Sequence, residues 1–374
     1  MSRIAVIGAG AIGLSSAVNI QKLLPNAKVT IIADKFGNDT TSNGAGGFFR
    51  PNLDDFYIED RQMVSQWLRN SWKFYNGLAQ SEKADDSGHT LVSGTVVHNT
   101  PMLSSQKDRL YSLLAELAYD FHQIKEEDLK KMKLNYQYGY NFTTVITQSP
   151  KYLTWLTRKF QEAGGNTINK RVQNLQELAI EFDFVVNCCG LAAQELVNDK
   201  SIHPVKGHLV MVQAPWIKNF FLSDDDIYLV PHKAIWMHTA IVLCTHASIS
   251  HQRTKSLKYG VIVINDKLII GGTREKGNYN LTPDLATRER ILSRAEALFP
   301  QLKGAKLLGD WVGLRPARQR IRFETEILDC GRKGKLPVLH NYGHGGHGIS
   351  LSWGSGVDAA NVVKNLSTAS KSRL

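Results

Sequence analysis

Two glycine-rich stretches at opposite ends of the chain have residue types that could bind a charged ligand. GAGAIG, residues 8–13, has the pattern G-x-G-x-x-G, and NYGHGGHGIS spans residues 341–350. Closely spaced glycines let a backbone approach phosphate groups, and the N-terminus of a following helix attracts their charge. The second stretch could be a metal site of His340, His344 and His347, a backbone cradle for a charged ligand, or a plain turn.

The elements around the first stretch favour nucleotide binding. Residues 4–7 read as a buried strand, LSSAVNIQKLL reads as a helix, and residues 28–33 read as a second strand closed by Asp34. Gly8 then allows a tight turn, Gly10 the approach of a pyrophosphate, and Gly13 close packing of helix on sheet. Asp34 can accept hydrogen bonds from a ribose hydroxyl.

The second stretch separates FAD from NAD, because both cofactors use the first pattern. LPVLHNYG reads as a strand and a helix is expected to start near Ile349, so a second set of unpaired backbone N–H groups would face a ligand. A helix N-terminus would stabilise the negative charge of a reduced flavin at the far end of FAD. No cysteine or carboxylate accompanies the three histidines, so we favour the cradle and expect no metal site.

Strand signals of a parallel sheet occur at residues 1–34, 182–197 and 336–366. This spacing predicts an α/β fold (α+β overall) with a discontinuous Rossmann-like FAD-binding domain of residues 1–50, 150–200 and 305–374. Residues 51–149 and 201–304 would form a second, strand-rich substrate domain.

Composition narrows the class of protein and its location. The 374 residues carry a net charge of +11, but the lysines and arginines are scattered and no nucleic-acid recognition motif accompanies them. No apolar run approaches the ~20 residues of a membrane span. Four cysteines without a C-x-x-C motif, and an N-terminus unlike a signal peptide, indicate a reducing compartment. Ser372, Arg373 and Leu374 resemble a peroxisomal import signal, which predicts an import receptor as partner and the peroxisomal matrix as location.

Six stretches occur in a characteristic order: GAGAIGLSSA, IIADKF, TTSNGAGGFFRP, VVNCCG, GLRPAR and HNYGHGGHGIS. In this combination the chain resembles the D-amino-acid oxidase family of FAD enzymes, and most of all its members that oxidise D-aspartate. The resemblance implies non-covalent FAD and oxidative deamination of a D-amino acid by molecular oxygen. The products would be a 2-oxo acid, ammonia and hydrogen peroxide, and peroxide production fits a peroxisomal location.

The resemblance also implies which residues bind FAD. Asp34 and Lys35 would lie beside the adenosine ribose, and Arg171 and Val172 along the adenine. Thr40, Thr41 and Ser42 would bind the phosphates. The cofactor-binding residues of the first glycine motif are Gly8, Gly10, Ala11, Ile12 and Gly13. The flavin would contact a further set: Gly47, Phe48, Gly345, Gly346, Gly348, Ile349 and Ser350.

Three residues would select the substrate. Arg315, in GLRPAR, matches the family arginine that pairs with the α-carboxylate, and Tyr228 matches a tyrosine that donates to the same group. Arg274, in GGTREK, would add a second cation for a side-chain carboxylate, which favours D-aspartate first and D-glutamate second. The alternatives are a surface salt bridge for Arg315 and a solvated turn for Arg274.

One departure from the family leaves the activity open. Residues at about 232–263 form an atypical insertion beside Tyr228. The chain could therefore be an oxidase of neutral or basic D-amino acids, or a flavin-binding protein with impaired catalysis.

Overall fold

The computed structural model describes residues 1–225, 227–232 and 267–371. The strands are β1 (Arg3–Ile7), β2 (Lys28–Ala33), β3 (His89–His98), β4 (Tyr119–Ile124), β5 (Tyr138–Thr147), β6 (Asn166–Asn169), β7 (Phe184–Asn187), β8 (His203–Gln213), β9 (Phe220–Ser223), β10 (Tyr228–His232), β11 (Lys267–Gly271), β12 (Glu275–Lys276), β13 (Lys306–Asp329) and β14 (Lys335–His344). The α-helices are α1 (Ala11–Leu23), α2 (Arg61–Ala79), α3 (Ala84–Ser87), α4 (Ser104–Leu117), α5 (Glu126–Lys131), α6 (Ser149–Glu162), α7 (Ala193–Leu196), α8 (Leu285–Leu298) and α9 (Gly348–Lys371).

One part of the sheet is parallel and carries both glycine-rich stretches. Its order is β14-β7-β1-β2-β6, with parallel pairing at each step. β1 is buried because its neighbours β2 and β7 cover both edges and α1 covers a face. Because these strands are parallel, the carboxyl ends of β1 and β14 lie at the same edge of the sheet.

The rest of the sheet is mostly antiparallel. Its order is β4-β5-β3-β9-β10-β11-β8-β13, and only β3 and β9 are parallel. β13 joins the two parts, because residues 306–317 pair with β8 and residues 322–329 pair with β14. The predicted α/β fold with a Rossmann-like parallel part is confirmed, whereas the residue ranges of the two domains stay a prediction.

Two regions singled out in the sequence fall wholly or largely outside the described residues. They are the insertion, apart from His232, and the tripeptide 372–374. The strands that flank the insertion are regular: β10 and β11 pair antiparallel, with His232 opposite Lys267. In the ranges that the structure covers, no helix has the length and apolar character needed to cross a membrane.

Three histidines are buried as neutral groups, and this predicts the pH dependence of stability. Burial lowers the pKa of His89 and His344 to about 3 and that of His232 to about 4. His89 stacks on Tyr75 with ring centroids 5.0 Å apart. In the unfolded chain the same imidazoles titrate near the ordinary value of 6.5.

We expect stability to be independent of these groups above pH 7 and to fall as the pH drops below 6.5. Only the unfolded state then takes up their protons, which costs about 1.4 kcal/mol per pH unit for each histidine once the pH is well below 6.5. Urea unfolding at pH 8, 7, 6 and 5 measures this, and His89→Gln should reduce the slope. A midpoint that stays constant from pH 7 to 5 would contradict the assignment.

Candidate active site

A single cavity of about 1030 Å³ connects the two glycine-rich stretches. Gly10 lines it in one region, Gly346 in another, and Arg315 also lies in its wall. The two stretches are therefore parts of one site, although more than three hundred residues separate them in the chain.

At the first end, the backbone itself forms the wall. Gly8 has φ +101°, and a Cβ there would lie 2.5 Å from the carbonyl oxygen of Cys188. α1 begins directly after Gly10, and its first residues, Ala11 and Ile12, line the cavity. The Ser42 hydroxyl accepts a hydrogen bond from the Ala11 N–H at 3.1 Å.

Gly13 does not line the cavity but holds α1 against the turn before it. A Cβ at Gly13 would lie 1.9 Å from the Gly8 carbonyl oxygen. This contact is with backbone, so no side-chain rearrangement could relieve it. The packing role predicted for Gly13 therefore has a physical basis.

The other residues predicted at this end are divided between two cavities. Those in the wall of the large cavity are Asp34, Lys35, Thr40, Thr41, Ser42 and Arg171. Val172 instead lines an adjoining cavity of about 120 Å³, together with Gly8, Asp34 and Arg171. The structure therefore does not bring Val172 to the large cavity. Arg171 forms an ion pair with Glu195, which also lines both cavities.

At the far end, the second glycine-rich stretch leads into α9. Gly345, Gly346 and the first residues of α9, Gly348, Ile349 and Ser350, line the cavity. Gly47 and Phe48 line the same cavity, and the Ser350 hydroxyl donates to the Phe48 carbonyl oxygen at 3.4 Å. Gly47 has φ +65°, and a Cβ there would lie 1.7 Å from the Thr147 carbonyl oxygen, so only glycine fits.

These features fit FAD. The N-termini of two long helices, α1 and α9, open on one cavity whose walls approach closely because they are glycine. Buried polar atoms there, Asn341 Oδ1 and His344 Nε2, have no hydrogen-bond partner among the described residues, so they are available to a ligand. Phosphates would bind near α1, and an apolar ring system near Phe48 and Ile349.

The three histidines of the alternative metal site do not converge. His340 Nε2 lies 3.0 Å from Glu326, and His347 Nε2 lies 3.3 Å from Asp55. His344 is buried beside Trp67. Throughout the described ranges, no group of three or more His, Cys, Asp or Glu residues is placed to hold a metal ion.

Arg315 presents its guanidinium to the cavity. Its Nη1 donates to the Thr273 carbonyl oxygen at 3.0 Å, which fixes one side of the group. The guanidinium lies directly on Gly207, where a Cβ would come within 2.4 Å of Nη2. No carboxylate pairs with Arg315 among the residues for which the structure gives positions, so the surface salt bridge considered above is not observed there.

Tyr228 and Arg274 lie in the same wall. The Tyr228 ring lies on Gly271, where a Cβ would come within 1.9 Å of its Cζ. Residues 271–273 therefore hold both the Tyr228 ring and the Arg315 guanidinium. Arg274 is exposed and lines both this cavity and a second one of about 460 Å³. Its side chain thus borders two spaces.

Sequence reasoning missed, among others, Gly207, which contacts Arg315, and Arg50, which lines the cavity. Gly207 belongs to no motif, and only its contact with Arg315 reveals it. Arg50 lines the cavity two residues after Phe48, a spacing that places both on one face of an extended segment. That alternation was the available signal, since Phe49 between them is buried.

Together, the parallel sheet and the two helix N-termini that open on one cavity define the class of nucleotide-dependent enzymes. A family model described as FAD dependent oxidoreductase (DAO) matches residues 3–362, so the chain belongs to that family and FAD is its cofactor. The chain is 38% identical to D-aspartate oxidase of Homo sapiens over 97% of its length and 94% of the human protein. It is 30% identical to D-amino acid oxidase of Dugesia ryukyuensis, over 97% of the chain and 98% of that protein.

A solved structure is similar in fold. Glycine oxidase from Geobacillus kaustophilus superposes with a TM-score of 0.72 at 19% identity, covering 98% of this chain and 95% of that one. At this identity the similarity concerns the fold alone.

Proposed function

We propose that the protein oxidises acidic D-amino acids, D-aspartate first and D-glutamate second, using FAD and molecular oxygen. The products are a 2-oxo acid, ammonia and hydrogen peroxide. The observation that carries the proposal is Arg315, a guanidinium with no carboxylate partner in the described structure, in the wall of the cavity that fits FAD. The 38% identity to human D-aspartate oxidase supports the choice of substrate.

When bound, FAD supplies the two-electron acceptor for the hydride on the substrate Cα and passes the electrons to oxygen. The residues of the chain bind and orient the substrate. Arg315 holds the α-carboxylate through two parallel hydrogen bonds, and Tyr228 donates to the same group. The fixed carboxylate determines which face of Cα is presented, so no side-chain base is needed once the amine is neutral.

Arg274 supplies positive charge for the substrate's second carboxylate. A buried carboxylate without a cation would cost several kcal/mol, so the charge discriminates against neutral substrates. Arg274→Ala is expected to lower the ratio of kcat/KM for D-aspartate and D-alanine by about tenfold. An unchanged ratio would exclude Arg274 from substrate selection.

Purified protein tests the function directly. It should be yellow, and it should release peroxide with D-aspartate but not with L-aspartate. Oxidation of D-alanine or D-lysine in preference to D-aspartate would favour a neutral or basic substrate. Yellow protein without peroxide release from any D-amino acid would favour the impaired flavin-binding alternative.

The support for residue roles in FAD binding is their shared cavity. We propose that FAD contacts residues of both glycine-rich stretches and of the walls between them, while Gly13 acts by packing α1 against the turn. The contact residues are Gly8, Gly10, Ala11, Ile12, Asp34, Lys35, Thr40, Thr41, Ser42, Gly47, Phe48, Arg171, Gly345, Gly346, Gly348, Ile349 and Ser350. Val172 would contact the adenine from the adjoining cavity that it lines. The discontinuous FAD-binding and substrate domains predicted above belong to the same proposal.

We propose the peroxisomal matrix as the location. Its support is the tripeptide Ser372-Arg373-Leu374 and the production of peroxide. A fluorescent protein fused ahead of residues 363–374 should enter peroxisomes, and the same fusion without the tripeptide should not.

Gly207→Ala is expected to impair the substrate site without harming the fold. The added Cβ meets only the end of the Arg315 side chain, which can move, so folding costs little. The guanidinium would then shift by about 1 Å or more, which can cost about 100-fold in kcat/KM. Steady-state kinetics with D-aspartate measures this. As a control, the flavin content and melting temperature of the variant should equal those of the wild type. An unchanged kcat/KM would contradict the described contact between Gly207 and the Arg315 guanidinium.

The insertion can be tested by removal. Because His232 and Lys267 are directly opposite in the β10–β11 ladder, a two-residue Asn-Gly turn can join them. A chain with residues 233–266 replaced by Asn-Gly is expected to fold, stay yellow and retain D-aspartate oxidation within about tenfold. Loss of flavin in this variant would assign the segment a structural role, contrary to this expectation.

A further inference from the structure

Arg50 enters the cavity wall because of the way its segment pairs with β5. The Phe49 N–H donates to the Val145 carbonyl oxygen at 3.1 Å, and Phe48 forms a bridge with Ile146. Phe49 is 1% exposed and points into the core. Successive side chains of an extended segment point to opposite faces, so Phe48 and Arg50 both face the cavity.

The Arg50 guanidinium is only partly engaged. One nitrogen, Nη2, lies 3.2 Å from Asp55 Oδ2, and the side chain is 24% exposed. A guanidinium has five N–H donors. In the described portion of the chain, Nε and Nη1 of Arg50 have no hydrogen-bond partner. A cation in a partly enclosed site therefore has donors left for a ligand.

Asp55 is a single carboxylate that lies between two neighbouring side chains. It contacts His347 at 3.3 Å as well as Arg50. Burial tends to raise its pKa, but the hydrogen bond from His347 and the charges of His347, Arg50 and Arg274 outweigh this and hold the pKa well below its usual range. Asp55 thus stays ionised at neutral pH, and it offsets only part of the positive charge around it.

Four arginines line the cavity, and one of them, Arg171, lies beside Asp34 and is paired with Glu195. The other three are Arg50, Arg274 and Arg315, and Tyr228 lines the cavity as well. Arg315 is assigned to the α-carboxylate, so Arg50 and Arg274 remain for a second one. Arg274 is exposed and also borders the smaller cavity, whereas Arg50 is more enclosed and lies next to Phe48. An enclosed cation interacts more strongly with an anion than an exposed one, because solvent screens it less.

We propose that Arg50 is a specificity-determining residue that binds the side-chain carboxylate of an acidic D-amino acid, and that Asp55 is the residue that positions it. This assignment rests on the proposed function. Arg50 and Arg274 then act together, with Arg50 as the stronger contact. Asp55 holds the guanidinium at the wall through Nη2 and leaves the other donors directed to substrate.

The first test compares Arg50→Leu with a matched control, Arg109→Leu. Arg109 forms its ion pair with Asp54, at 2.7 Å, and does not line the cavity. Arg50→Leu is expected to lower the ratio of kcat/KM for D-aspartate and D-alanine by about 100-fold. Arg109→Leu should leave that ratio within about twofold of the wild type. An unchanged ratio in Arg50→Leu would overturn the proposal.

Binding without turnover gives an independent readout. D-malate has both carboxylates of D-aspartate but no amine, and D-lactate has one carboxylate. The dissociation constants of both ligands can be measured by titration, followed by the flavin absorbance. Arg50→Leu should raise the dissociation constant of D-malate by about 100-fold more than that of D-lactate. Equal weakening of both would place Arg50 at the α-carboxylate instead and overturn the assignment. If the wild-type protein oxidised only neutral D-amino acids, the proposed function would fail first, and this result would be visible before any variant is made.

The role of Asp55 is tested in two backgrounds. Asp55→Asn keeps the side-chain shape but removes the competing negative charge, so D-malate should bind about threefold more tightly. The gain should disappear when Asp55→Asn is combined with Arg50→Leu. A gain of equal size in both backgrounds would show that Asp55 acts through His347 or Arg274, and not through Arg50.

Discussion

Arg315→Leu is expected to lower kcat/KM for D-aspartate by about 1000-fold, with flavin content and melting temperature close to those of the wild type. The guanidinium lies on Gly207 and donates to the Thr273 carbonyl oxygen, so its remaining donors face the cavity. Leucine fills the same space but cannot pair with a carboxylate. The substrate then loses both its affinity and the orientation of its Cα.

Arg315→Lys separates charge from geometry. Lysine keeps the positive charge but cannot form two parallel hydrogen bonds with a carboxylate, so an intermediate loss of about 30-fold is expected. Arg332→Leu serves as the control, because Arg332 is exposed and outside the cavity. An equal loss of kcat/KM for D-aspartate in Arg315→Leu and Arg332→Leu would mean that Arg315 does not bind the substrate.

Gly13→Ala is expected to yield protein with little or no FAD. The new Cβ would lie 1.9 Å from the Gly8 carbonyl oxygen and 2.9 Å from its carbon, and both are backbone atoms. α1 would have to move away from the turn that precedes it, so its N-terminus would leave the position where it meets phosphates. The FAD dissociation constant should rise at least about 100-fold, and overpacking should cost about 1–3 kcal/mol of stability.

Gly77→Ala provides a matched glycine-to-alanine control. Gly77 lies in α2, and nothing lies within 4 Å of the position its Cβ would take. Alanine should stabilise this helix by about 0.5 kcal/mol and leave FAD binding unchanged. Flavin fluorescence titration and thermal melting measure both variants. If Gly13→Ala retained FAD, the predicted link between the position of α1 and FAD binding would be wrong.

The sequence predicted the parallel part of the fold well because its signals are local. β1, the glycine turn, α1 and β2 follow one another, and each has a distinctive composition. The same holds for β14 and α9. A strand rich in Val and Ile that runs into glycines and then a helix has few alternative interpretations.

β13 could not be recognised in this way. It is a strand of 24 residues, yet it contains Gly309, Gly313 and Pro316 and many charged residues, which are usually unfavourable in strands. Two different partners, β8 and β14, hold it extended along its length. Only tertiary structure supplies both partners, so local composition carried no signal.

The site was predictable where a motif marks it and not where packing creates it. Arg315 and the glycines stand in recognisable stretches. Gly207 matters only because the Arg315 guanidinium lies on it, and Arg50 faces the cavity only because Phe49 pairs with β5. Such contacts join residues remote in sequence, so the sequence offers no signal for Gly207 and, for Arg50, only its alternation with Phe49.

The path of β13 has a consequence for how substrate preference can diverge. Ala317 pairs with His344 on β14 and with His203 on β8, only two residues after Arg315. The strand that carries Arg315 is therefore joined, through the β13–β14 ladder, to His344, the residue directly before the glycine loop assigned to the flavin, so a shift of one is expected to displace the other. A change in the preferred substrate side chain would instead require mutations at positions such as 50 and 274, which line the cavity but lie outside β13 and β14. The chemistry common to all substrates is thus inherited as a unit, while the choice among them remains open to single mutations.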